Sequence, residues 1–219
     1  MPAVEGIVLA AGLSSRTGRY KMALRLGEKA VIQHSVESMY EMVRRVLVVV
    51  GWKAERIREL LADYANVEIV MNEEFRRGMF SSIKAGIARV EAPSFFLLPG
   101  DHPLVDADVY RKMLTVSGDI VIPTFGGRRG HPVLMASHLI PEILDQPSES
   151  TLRDFIRRKG HTAVAVEDEG ILLDIDTLSD YDKYLDRINS TSTAKLALSL
   201  PLSEAKGEAE GTQSTQRKT

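Results

Sequence analysis

Short apolar runs rich in Val, Ile and Leu alternate along the chain with longer stretches in which apolar residues recur every three to four positions. The runs are Val4 to Ala10, Val46 to Val50, Val67 to Met71, Phe95 to Leu98, Ile120 to Pro123 and Val133 to Ala136. The helix-period stretches are Ala30–Met42, Ala54–Tyr64, Phe80–Val90 and Ala107–Val116. Such alternation predicts an α/β fold: a mostly parallel sheet with right-handed crossovers, covered by helices as a three-layer α/β/α sandwich of the doubly wound, Rossmann-like kind. Ligands of such sheets sit beyond the carboxyl ends of the strands. The loops after Ala10, Met71 and Leu98 are therefore the places to look for function.

Past Ala136 the pattern is more mixed. Ser150 or Thr151 is placed to cap a helix that ends at Gly160. Ala163–Val166 and Ile171–Ile175 read as two further strands, and Thr177–Ile188 as a last helix. Ser190 to Thr219 is dominated by Ser, Thr, Ala, Lys, Glu and Gly, and buries too little apolar surface to offset its ordering entropy. The expected organisation is one domain over 1–189 with a flexible tail over 190–219. Leu196, Leu198, Leu200 and Leu202 alternate inside that tail and could dock on a neighbour.

Composition narrows the classes. Lys and Arg number 28 against 30 Asp and Glu, a formal net charge of −2, so no large positive field exists to collect nucleic acid or anionic lipid. Cysteine is absent, which removes disulfides, thiolate zinc sites, iron–sulfur clusters and cysteine nucleophiles together. No apolar run approaches the roughly 20 residues that span a bilayer, and the opening Met1 to Gly6 lacks the features of a secretory signal. A cytoplasmic location is expected.

The stretch Val8-Leu9-Ala10-Ala11-Gly12-Leu13-Ser14-Ser15-Arg16-Thr17-Gly18-Arg19-Tyr20-Lys21 carries the strongest chemical signal. A buried strand runs into a loop of small residues whose backbone N–H groups can approach an anion closely, and cations follow. Ala10, Ala11 and Gly12 leave room for a nucleotide against the main chain. Arg16 and Lys21 are placed to neutralise its phosphates. Neither a Walker loop nor a G-x-G-x-x-G fingerprint is written here.

The pattern Leu9-Ala10-Ala11-Gly12-x-Ser14-x-Arg16-x-Gly18-x-x-Lys21 resembles the signature of nucleotidyltransferases that attach a nucleoside monophosphate to a phosphorylated acceptor. It is most similar to the molybdenum cofactor cytidylyltransferase branch of the MobA-like NTP transferases, with Thr17 standing where the family usually has Met. The resemblance covers roughly Val4 to Ile188 and implies the nucleotide-diphospho-sugar transferase fold. It also implies transfer of CMP from CTP to molybdopterin, with release of pyrophosphate. Guanylyltransferases of the superfamily resemble Leu-Ala-Gly-Gly at this point, so Ala11 tilts the reading toward a pyrimidine. Two alternatives stay open: another NTP-dependent transferase acting on a sugar or other phosphate, and a noncatalytic nucleotide-binding maturation partner. A molybdoenzyme or chaperone is an expected protein partner.

Pro99-Gly100-Asp101-His102-Pro103 places a carboxylate just beyond an apolar strand, where a hard cation shared with phosphates needs one. A helix cap is the competing role. By resemblance Asp101 binds Mg²⁺. Asp174-Ile175-Asp176-Thr177-x-x-Asp180 is similar to a family segment thought to complete the metal site. Strand alternation would put Asp174 and Asp176 on one side, with Asp176 favoured; capping by Asp176 or Thr177 competes. The catalytic set is thus Arg16, Lys21 and Asp101, with Asp101 and Asp176 on the metal.

Gly78-Met79-Phe80-Ser81-Ser82 follows the third strand and is similar to a family segment bordering the nucleotide. This makes Gly78, Ser81 and Ser82 candidates for base or ribose contacts; a helix start capped by Ser81 is the alternative. Gly126-Gly127-Arg128-Arg129-Gly130-His131-Pro132 joins two expected strands, and its cations suit an anionic acceptor. By resemblance, Arg128 and His131 face the pterin. A tight hairpin with solvated cations is the competing account.

Overall fold

In the computed structural model, residues 3–12, 20–177 and 179–185 are described. The first strand, β1 (Val4–Leu9), is buried along its whole length and lies at the middle of the sheet. It pairs in parallel with β4 (Val46–Val50) on one side and β6 (Ser94–Pro99) on the other. Two short strands, β2 (Arg25–Leu26) and β3 (Lys29–Ala30), form a separate hairpin. Beyond β4 the edge strand is β5 (Val67–Met71), also parallel.

On the far side of β6 the pattern changes. β9 (Val133–Ala136) is antiparallel to both β6 and β7 (Ile120–Phe125), while β10 (Thr162–Ala165) runs parallel to β7 at the other edge. A two-residue strand, β8 (Arg128–Arg129), folds back on the end of β7. The order is β5-β4-β1-β6-β9-β7-β10, a mixed and mostly parallel sheet. This is the architecture expected from the alternating pattern.

Side chains of successive strand residues point to opposite faces. Val8 and Val48 pack under Ile32, Val36 and Met39 of α1 (Val31–Tyr40), Ile57 of α2 (Ala54–Leu60) and Tyr110 of α4 (Ala107–Leu114). Ile7 and Val49 face Phe80, Ile83 and Ile87 of α3 (Met79–Ile87), Ile143 of α5 (Ile140–Leu144) and Phe155 of α6 (Leu152–Lys159). Thr151 caps α6 by accepting from Asp154 N, and Gly160 ends it, as the sequence predicts.

Ile171–Ile175 is not a strand. Glu169–Leu172 form a 3-10 turn and 173–176 run on without sheet partners. The backbone of this segment is committed to neighbouring loops instead: His131 N donates to Ile171 O (2.9 Å) and Ile175 N donates to Asp101 O (3.0 Å). Residues 179–185 are helical, and Tyr181, Tyr184 and Leu185 pack with Leu26, Val31 and Ile175. The tail expected over 190–219 lies outside the described residues. No helix among the described residues is long and apolar enough to cross a membrane.

Candidate active site

β1 and β6 deliver their carboxyl ends side by side, because Gly100 N donates to Leu9 O at 2.9 Å. A Cβ at Gly100 would lie 3.0 Å from that carbonyl oxygen and 3.0 Å from Met22 Sδ, so a larger residue would push the two exits apart by a few tenths of an ångström. Beyond β1, Ala10 and Ala11 are buried and Gly12 is exposed. Arg16 lies outside the described residues, with the rest of 13–19. The chain returns at Tyr20, whose hydroxyl donates to Ala10 O (3.3 Å) and whose burial pushes the phenol up to about 12. Tyr20 thereby ties the two ends of the loop together.

Lys21 opens a 3-10 turn (Lys21–Ala23) and is only 8% exposed. Its Nζ sits 2.7 Å from Asp176 Oδ1 and 3.6 Å from Asp101 Oδ2. Three residues widely separated in sequence therefore meet at one point. Asp101 has its other oxygen, Oδ1, 3.1 Å from His102 Nδ1. Burial raises the Asp101 carboxyl, but the His102 hydrogen bond and the His102 and Lys21 charges outweigh it and hold the group below its ordinary value. Asp174 moves the other way, raised by burial and by the Asp176 and Asp101 charges despite His102. The site therefore carries concentrated negative charge beside one buried lysine.

Asp101 does not cap the next helix. α4 begins at Asp106, whose carboxylate accepts from Asp108 N (2.8 Å). Likewise Thr177, not Asp176, caps the last helix: its Oγ1 accepts from Asp180 N (3.1 Å) while Asp180 Oδ2 accepts from Thr177 N (2.9 Å). The strand argument for Asp176 fails with the strand, yet Asp176 reaches the site because Ile175 N is bonded to the Asp101 carbonyl.

No group of three or more metal-type side chains is preassembled among the described residues. Two carboxylates, Asp101 and Asp176, meet on Lys21, and their oxygen donors suit a hard cation that completes its shell with phosphate oxygens and water.

At the end of β5, Asn72 is buried and its Nδ2 donates to Ser81 Oγ and Ser82 Oγ at 3.0 Å each. Its Oδ1 accepts from Glu74 N (2.9 Å). Ser81 is not a helix cap: α3 begins after Gly78, at φ 100°, and the Ser81 hydroxyl donates to Gly78 O. Gly78, Ser81 and Ser82 thus form a braced polar corner around Asn72. Nearby on the β4 exit, Lys53 adopts a left-handed conformation (φ 59°) and lies 4.4 Å over the half-exposed Trp52 ring, which packs edge-on against Tyr20.

The hairpin after β7 turns at Gly126 and Gly127, both at positive φ, and leaves Arg128 and Arg129 exposed. His131 goes inward instead. Its ring meets His102 edge-to-face at 4.7 Å between centroids, and its buried Nδ1 has no hydrogen-bond partner. Burial first, then the His102 charge, lowers the imidazole to about 3. His131 is therefore neutral and is not one of the cations that the loop composition suggests. His102 is the residue that motif reading passes over. The sign was its place inside Gly-Asp-His-Pro, next to the carboxylate.

A mostly parallel sheet whose strand β1 ends in a small-residue loop, with a lysine gripping carboxylates from two other loops, is an arrangement suited to phosphoryl- or nucleotidyl-transfer proteins that use a nucleotide. The chain belongs to the MobA-like NTP transferase family, whose domain model matches residues 6–164. It is 30% identical over 182 residues to the molybdenum cofactor cytidylyltransferase of Escherichia coli, covering 83% of this chain and 95% of that one. It is 28% identical over 143 residues to a probable molybdenum cofactor guanylyltransferase of Bacillus mycoides, covering 63% and 70%. Among solved structures, Rv0371c of Mycobacterium tuberculosis in complex with manganese superposes with a TM-score of 0.70 at 23% identity, over 84% of this chain and 98% of that one. The chain is thus a nucleotidyltransferase of this family, related to both cytidylyl and guanylyl enzymes.

Proposed function

We propose that this nucleotidyltransferase moves CMP from CTP onto molybdopterin and releases pyrophosphate. The observation that carries the reading is Lys21, buried between Asp101 and Asp176 at the carboxyl end of the central strands. A metal–triphosphate pair has the charges to divide that cluster. Lys21 would pair with the triphosphate, and the carboxylates would be left for the cation. Asp101 and Asp176 would hold Mg²⁺, and the chemistry it would supply there is Lewis-acid withdrawal of charge from the reacting phosphorus.

The step is an in-line attack by an acceptor phosphate oxygen on the α-phosphorus. A new P–O bond forms, the bond to the β-phosphate oxygen breaks, and pyrophosphate leaves with the electron pair. No protein nucleophile is required, so the chain's work is positioning and charge neutralisation. Leu9, Ala10, Ala11 and Gly12 carry the nucleotide on their backbone, while Lys21 and Arg16 balance the charge growing on the leaving group. Gly78, Ser81 and Ser82 border the base or ribose through the Asn72 corner. Arg128 supplies positive charge to the acceptor phosphate, and the neutral His131 ring would contribute an uncharged acceptor-side contact.

Ala11, in place of the glycine that guanylyl enzymes resemble at this point, favours CTP over GTP. Pyrophosphate release should be measured with CTP, GTP, UTP and ATP, each with and without molybdopterin. Release confined to CTP plus molybdopterin is expected. Preferential turnover of GTP would overturn the base assignment, turnover with a sugar phosphate but not molybdopterin would overturn the acceptor, and nucleotide binding with no turnover would leave a noncatalytic partner.

A further inference from the structure

We propose that His102 is a positioning residue that holds the Asp101 carboxylate in place through an Nδ1–H donor and is itself wedged by the ring of His131. The inference rests on the transfer reading above, in which Asp101 receives the metal. An ionised carboxylate only accepts hydrogen bonds, so the 3.1 Å contact between Asp101 Oδ1 and His102 Nδ1 fixes the proton on Nδ1. With Oδ1 held this way, Oδ2 is turned toward Lys21.

His102 is in turn confined. It is 8% exposed, and the His131 ring stands against it at an interplanar angle of 76°. His131 is held by its own backbone: its N–H donates to Ile171 O, and Gly130 N donates to Pro123 O. A Cβ at Gly130 would fall 2.3 Å from the Ile171 carbonyl oxygen, so this hairpin and the segment carrying Asp176 are pressed together. One line of contacts therefore runs from the hairpin through His131 and His102 to Asp101. Outer contacts of this kind orient the groups that touch a metal, and removing one commonly costs 10–100-fold in metal affinity, by order of magnitude.

The donor and the ring can be separated by substitution. His102→Phe keeps a ring against His131 and removes the donor. His102→Gln places an amide too far along the side chain to replace Nδ1. His102→Asn restores an N–H at about the Nδ1 position without the ring. Manganese would be titrated into each full-length protein with α,β-methylene CTP, and free ion read by electron paramagnetic resonance, alongside thermal unfolding without ligand.

The expected result is half-saturation raised roughly tenfold or more in His102→Phe and His102→Gln. His102→Asn should recover most of that affinity, with unfolding temperatures that do not follow the same order. Wild-type-like manganese binding in His102→Phe, or binding in His102→Asn as weak as in His102→Phe, would overturn the assignment alone. A wild-type chain that takes up no manganese with the analogue would overturn the transfer reading and this assignment together.

Discussion

In the proposed transfer, Lys21 and Asp101 are the side chains on which the chemistry depends most directly. Removing a group that stabilises developing phosphate charge commonly lowers turnover about 10²–10³-fold. Lys21→Ala and Asp101→Ala are each expected to lose at least that much in a pyrophosphate-release assay, with circular dichroism unchanged. They should stay folded because Lys21→Ala leaves carboxylates that are 22% and 38% exposed to water, and Asp101→Ala leaves Lys21 still paired with Asp176 at 2.7 Å. Wild-type turnover in Asp101→Ala would remove Asp101 from the metal.

His131 makes a second expectation at the same scale. Its imidazole is held neutral down to about 3, whereas an unfolded histidine titrates near 6.5. The unfolded chain therefore binds one more proton throughout that window. The stability this group contributes is complete above about pH 6.5 and is lost as the pH falls toward 3, at up to about 1.4 kcal/mol per pH unit. Urea unfolding of His131→Leu between pH 6 and 4.5 should show a slope shallower by about one proton than wild type. Equal slopes would mean that the ring is protonated in the folded chain.

At the scale of elements, the strand β1 is anchored at its start by a carboxylate far from the chemistry. Glu5 is fully buried; Arg44 Nε and Arg45 Nε donate to its Oε1 at 2.8 Å, and Glu91 N donates to its Oε2 at 2.8 Å. Burial raises this carboxyl, but the Glu91 amide, Arg44, the Ala92 amide and Arg45 outweigh it and hold it below its ordinary value. Glu5→Ala leaves the two arginines able to reach water but strands the Glu91 and Ala92 amides. The expected cost is about 1–3 kcal/mol in chemical denaturation. kcat should be unchanged wherever the variant is folded, since Glu5 stands at the opposite end of β1 from Lys21.

Elements also show where sequence patterning stops. The ranges Ala30–Met42, Ala54–Tyr64 and Phe80–Val90 overshoot α1, α2 and α3 at their carboxyl ends. Val43 and Leu61 are still buried although they follow the last helical residues Tyr40 and Leu60, so apolar periodicity continues after the helix has ended. Ile171–Ile175 misleads for a related reason. Its apolar spacing imitates a strand, but its hydrogen bonds go to the Asp101 and His131 loops.

At the scale of the whole molecule, the site is assembled from three regions: the end of β1 with Lys21, the exit of β6, and the segment before the last helix. A ligand that bridges them should stabilise the entire fold. At a concentration near 100 times its dissociation constant, bound nucleotide adds about 2.7 kcal/mol. For a domain of this size that corresponds to roughly 5–10 °C in unfolding temperature. Differential scanning fluorimetry with magnesium should show this shift for CTP, with a smaller one for GTP. The reverse order would contradict the pyrimidine preference argued from Ala11.

By itself, the order of residues determined the α/β class, the strands β1, β4, β5 and β9 to within a residue, the family, and the candidate status of Lys21, Asp101 and Asp176. These follow from local information: apolar runs, glycines where the backbone must pass closely, and a motif contiguous in the chain. Only the tertiary structure decided that β9 enters antiparallel between β6 and β7, that the Asp176 segment is no strand, that His131 turns inward and stays neutral, and that His102 takes one oxygen of Asp101. Those outcomes depend on which loops meet at the end of the sheet, and on the burial and charge created there. Both are sums over residues far apart in the chain, so no local stretch encodes them.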